Sequence, residues 1–91
     1  MAKTHIVKRR GHKEEFDERK VYISCFSACR SAHMDDKETA KVCDSVKSVV
    51  KRWIRNKKSV TSQQIFMLVK RELAKKNRDA AFMYETHKDI F

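Results

Sequence analysis

Apolar side chains recur along this chain mostly at helical spacing, and the breaks in that rhythm divide it into a short front piece and four longer segments. Val21, Cys25, Cys29 and Ala32 fall three to four residues apart, which lines up one face of a helix. Asp17 stands where such a helix leaves its first amides unpaired, and Phe16 before it can pack on Val21 as a hydrophobic staple. These residues predict a first helix over 18–32. Asp35 followed by Glu38 is a capping-box pattern, and Val42, Val46, Val49, Val50 and Trp53 then form the apolar stripe of a second helix over 36–55. Its acids, Asp36, Glu38 and Asp44, come early, and its bases, Lys51, Arg52 and Arg55, come late, as the helix macrodipole favours. Thr61 and Gln64 open a third helix over 62–75 that buries Ile65, Leu68, Val69 and Leu73, with Val60 stapled to Ile65. After a basic stop, Asn77 or Asp79 caps a fourth segment, 80–91, which ends on Ile90 and Phe91.

The front piece breaks the helical rhythm. It contains Gly11, the single glycine of a chain with no proline. Glycine reverses a chain at little steric cost, so two short extended runs over 4–9 and 12–15 read as a hairpin turning on Arg10 and Gly11. A hairpin is marginal alone and must lie on something. The expected fold is α+β and mainly α: a small four-helix bundle capped by an N-terminal β-hairpin, or by a short three-stranded sheet if 59–60 adds a strand. Residues 1–91 are expected to form a single domain.

Charge narrows the partners. The net charge is +10, from 22 Lys and Arg against 12 Asp and Glu, with bases in every third of the chain rather than in a tail. Such a field attracts polyanions without choosing among nucleotides, nucleic acids and anionic surfaces. No apolar run is long enough for a membrane span and no secretory leader is apparent, so the expected location is cytoplasmic. Cys25, Cys29 and Cys43 are an odd set without close paired spacing, which argues for reduced thiols over a disulfide framework. Cys25, Cys29 and His33 would share a helix face with soft-metal ligands, but the same face reads more simply as core, and no metal site is expected.

The segment from Val7 to Val21, "VKRRGHKEEFDERKV", followed by three helices with a Val-Thr-Ser entry to the third, resembles the ATP-cone. This is the nucleotide-sensing regulatory domain of ribonucleotide reductases and of the repressor of their genes. Ile6 to Arg9, Gly11, Glu14 or Glu15, Phe16, Asp17, Lys20 and Val21 follow the family's opening motif in order, with Arg10 where aspartate is usual. The resemblance implies a free-standing, non-catalytic module that binds ATP or dATP with Mg²⁺ and couples occupancy to homo-oligomerisation or to a reductase or other protein partner. Lys8, Arg9 and Lys20 are then the phosphate contacts, and Glu14 and Asp17 the base or sugar contacts. Val7 and Val21 would sandwich the adenine. Ser62, at the entry to the third helix, would meet phosphate or ribose oxygens, and Phe66 stands where some relatives carry histidine. Lys88 would close the pocket from the last helix.

The chemistry of the side chains fits such a ligand. A triphosphate needs several converging cations, and a carboxylate that accepts from the exocyclic amine separates adenine from guanine. The alternative is a basic nucleic-acid binder using the hairpin and the Lys51, Arg52, Arg55, Lys57 and Lys58 cluster on DNA phosphates. An enzyme is not expected: there is no G-x-x-x-x-G-K-[ST] loop, no glycine-rich dinucleotide turn and no nucleophile with a base beside it.

Overall fold

The computed structural model describes residues 4–7 and 13–86, in the order β1 (His5–Val7), β2 (Lys13–Glu15), α1 (Glu18–Ser31), α2 (Asp36–Ile54), β3 (Ser59–Thr61), α3 (Ser62–Lys76) and α4 (Arg78–Thr86). The expected turn at Gly11, the inner strand ends at Arg9 and His12, and residues 87–91 of the last segment lie outside the described residues. Four helices and a small sheet are present among the described residues, and the sheet is the three-stranded version of the expected cap. Its order is β2-β1-β3. β1 pairs antiparallel with β2, Ile6 opposite Glu14, and parallel with β3, Ile6 opposite Val60. Ile6 and Val60 are both buried, so the two strands join through one apolar pair on the face turned to the helices.

Local chemistry accounts for most boundaries. Asp17 accepts from the Arg19 amide at 2.9 Å, and Asp35 from the Glu38 amide at 2.7 Å. Thr61 and Gln64 form a complete reciprocal capping box, with bonds of 3.0 and 2.9 Å. Asn77 caps α4 through a 3.0 Å bond from the Ala80 amide, which begins that helix two residues earlier than the expected Ala80.

α1 ends in a Schellman motif: the Met34 amide reaches back to the Cys29 carbonyl and the His33 amide to the Arg30 carbonyl. His33 takes the left-handed conformation, φ 64°, that glycine usually supplies there. The turn removes His33 from the α1 face and leaves it exposed, so the expected alignment of Cys25, Cys29 and His33 does not form. Cys25 and Cys29 are instead fully buried.

The helices pack as a ring in which α1 touches α2 and α4, and α3 touches α4 and α2. Val21, Val46, Val50, Ile65, Val69, Leu73 and Tyr84 are almost wholly enclosed, each such aliphatic side chain worth about 1.5–3 kcal/mol of transfer free energy. Thr4 ties the sheet to the end of α2. Its hydroxyl donates to the Lys57 carbonyl at 2.9 Å and, in a longer shared contact of 3.3 Å, to the Ile54 carbonyl, which also accepts from the Lys57 amide. Paired groups across helix joints add register: Lys51 with Glu18 at 3.1 Å, and Lys70 with Glu85 at 3.0 Å.

Candidate functional site

Strand alternation decides which acid of β2 meets α1. Glu14 lies opposite the core-facing Ile6, whereas Lys13 and Glu15 lie opposite Val7 and His5 on the other face. Glu14 is therefore directed to the helix side, where its Oε2 sits 3.4 Å from Lys20 Nζ. Phe16 and Asp17 carry the chain from β2 into α1, and the Phe16 amide donates to the Thr4 carbonyl at 2.9 Å. The strand and the first helical turn enclose an open cleft of about 570 Å³ lined by Glu14, Glu15, Phe16, Asp17, Arg19 and Lys20.

Asp17 is the most heavily engaged group there. Beyond capping α1, it accepts from Arg19 Nε and Nη2, both at 3.1 Å, a fork-shaped pair. The Arg19 hydrogen bonds, side chain first and backbone second, hold the Asp17 carboxyl below its ordinary range, and the same pairing raises Arg19. Three carboxylates and two cations thus line the described cleft. That balance suits an amine, sugar hydroxyls or a hard cation beside phosphate better than phosphate alone.

The expected site residues fall into groups. Glu14, Asp17 and Lys20 come together at the cleft. Val7 lies on the β3 side of the sheet's central strand, where the parallel register pairs it with Thr61, the residue before Ser62. Phe66, one turn along α3, stacks on Tyr84 of α4 with ring centroids 5.2 Å apart. Val21 is 0% exposed in the core, while alternation turns Val7 away from the face that Ile6 presents to that core. Lys8, Arg9 and Lys88 lie outside the described residues. Sequence reasoning passed over Arg19 as a site residue. Its spacing of two from a capping aspartate, with a guanidinium long enough to fold back on it, was the signal present.

The ATP cone domain pattern matches residues 4–86 of the chain. The chain belongs to the ATP-cone family. ATP-cones are regulatory modules that bind adenine nucleotides, and the match spans the hairpin, the cleft and all four helices of this ATP-cone. Comparison with curated proteins gives no significant match. No helix among the described residues is long and apolar enough to cross a membrane.

The basic cluster after α2 is partly used by the fold. Lys51 pairs with Glu18, and Lys57 lies 4.4 Å from the Trp53 ring centroid while donating to the Trp53 carbonyl at 2.9 Å. Arg52, Arg55 and Lys58 are exposed.

Proposed function

We propose that this ATP-cone is a non-catalytic sensor of ATP or dATP, bound with Mg²⁺, whose occupancy changes its own oligomeric state or its hold on a protein partner, with control of ribonucleotide reductase activity or expression as the role. The observation that carries this reading is the convergence of Glu14, Asp17 and Lys20 on one cleft, in a chain whose motif places Lys8 and Arg9 immediately before it. The cleft volume lies within the usual range for small-molecule sites, about 300–1,000 Å³. Glu14 reads the adenine amine or a ribose hydroxyl, Lys20 turns from Glu14 to a phosphate, and Lys8 with Arg9 supply the remaining positive charge. Val7, Val21, Ser62, Phe66 and Lys88 complete the contacts by family position, Val21 through a change of packing that exposes it.

A melting scan tests the reading. ATP at a hundredfold excess over its dissociation constant should stabilise the chain by about 2.7 kcal/mol, while GTP and inorganic triphosphate should do much less. Lys8→Ala combined with Arg9→Ala should abolish the ATP shift. Equal shifts with all three ligands would remove adenine recognition from the proposal, and light scattering during the titration reads the change of assembly.

A further inference from the structure

Three sulfurs meet between α1 and α2. Cys25 and Cys29 stand one turn apart on α1, Cys43 projects from α2, and the three Sγ atoms all lie within 4.8 Å of one another. All three cysteines are 0% exposed and none is in a disulfide.

A second feature adjoins them. Thr39, one turn before Cys43, is also 0% exposed, and its hydroxyl has no hydrogen-bond partner among the described residues. The contacts Glu18 with Lys51 and Tyr22 with Lys47 step four residues forward on α1 for four back on α2. Continuing those steps brings Phe26, the residue after Cys25, level with Cys43, and Arg30, the residue after Cys29, level with Thr39. A buried hydroxyl left without a partner calls for an explanation, and this one stands one helical turn from Cys43, a member of the sulfur cluster.

We propose that Cys25, Cys29, Cys43 and Thr39 form a binding site for one thiophilic d¹⁰ cation, Zn²⁺, held by three sulfurs and one hydroxyl oxygen. Tetrahedral zinc with Zn–S bonds of about 2.3 Å needs sulfurs about 3.8 Å apart. The trio as it stands needs to contract by no more than about 1 Å to meet that geometry. Binding exchanges protons for metal: Zn²⁺ and three thiols give a trithiolate complex of charge −1 and three protons, the neutral hydroxyl completing the shell. Thiolate donors select zinc over magnesium or calcium, so this site is separate from any Mg²⁺ bound with a nucleotide. Its structural consequence is a clip between α1 and α2, of the kind that strengthens small domains by coupling metal binding to folding.

The test uses the reduced full chain without nucleotide, so its outcome is independent of ATP binding. Zn²⁺ is titrated against a chromophoric chelator, and Co²⁺ is used to read thiolate-to-metal charge transfer. The expected result is one ion per chain, proton release on binding, a charge-transfer band with cobalt and a raised melting temperature. Cys43→Ala should weaken zinc binding at least about a hundredfold, and Thr39→Val, which keeps the shape and all three sulfurs, about tenfold. Far-UV circular dichroism checks that each variant is folded, and Thr39→Val, which loses only an unpartnered hydroxyl, serves if Cys43→Ala does not fold. Failure of the wild-type chain to hold zinc against the chelator overturns the proposal, as does a folded Cys43→Ala variant that binds equally well. Wild-type affinity in Thr39→Val overturns the oxygen ligand.

Discussion

Asp17 shows how much one side chain is asked to do. It caps α1, pairs with Arg19 through both carboxylate oxygens and lines the cleft. Its carboxyl is held below the ordinary value of 3.8, so the associated stabilisation is present above that pH and is lost as pH falls through the lower folded value. The pair is well exposed, on Arg19 above all, which keeps that contribution small. Asn is as good an N-cap as Asp, so Asp17→Asn separates the two roles. The melting temperature at neutral pH should scarcely change, while the shift produced by ATP should shrink. A lowered melting temperature with an undiminished ATP shift would make Asp17 a cap alone. Glu14 carries a similar lesson. Its motif position was legible, but its choice over Glu15 as the partner of Lys20 depends on the pairing of Ile6 with Glu14.

At the scale of elements, the joint between β3 and α3 is the most informative. Val60 buries beside Ile6 in the sheet, Thr61 pairs with Val7 and caps α3, and Ser62 begins the helix. Thr61→Ala removes the acceptor of the Gln64 amide and should cost about 1 kcal/mol in a urea denaturation. The same change should leave the β1–β3 pairing intact, since Thr61 contributes its backbone to the strand. Caps of this kind were readable in advance because donor and acceptor lie within three residues of one another. The α1 C-terminus was less readable. His33 adopts a conformation usually left to glycine, stabilised by the bonds of the Schellman turn and by the burial of Met34 behind it. Thr4 was not readable at all, because its acceptors lie at Ile54 and Lys57, 50 and 53 positions away.

The whole molecule is a small basic bundle whose interior holds Tyr84, Cys25 and Cys43 in their neutral forms, while hydrogen bonds from Cys25 and Cys43 draw the Cys29 thiol down to about 4. Burial raises the Tyr84 hydroxyl well above its ordinary value of 10.0, although hydrogen bonding with Ser24 acts the other way. Hydrogen bonding with Cys29, then with Cys43, and then burial raise Cys25. Cys43 is drawn down by Cys25 but pushed further up by Cys29 and burial, to about 12. For each of these, the unfolded chain gives up its proton first. Their stabilisation is therefore whole below the ordinary values, 9.0 for the thiols and 10.0 for the tyrosine, and is lost as pH rises through the folded values. The melting temperature should fall from about pH 9 upward. Tyr84→Phe should make the fall shallower beyond about pH 10, with Cys25 and Cys43 accounting for what remains.

Helix periods, caps and the hairpin motif were determined by the sequence itself, because each depends on residues within a turn or two of one another. The ordered run from Ile6 to Val21 likewise carried the family and the cluster of Glu14, Asp17 and Lys20. Tertiary structure decided the parallel placement of β3 against β1, the face on which each strand residue stands, the enclosure of Val21, and the meeting of Cys43 with Cys25 and Cys29. Those features depend on how separate elements pack. A one-residue change of register turns a strand side chain to the other face, and helix spacing alone names a buried stripe without naming what lies across from it.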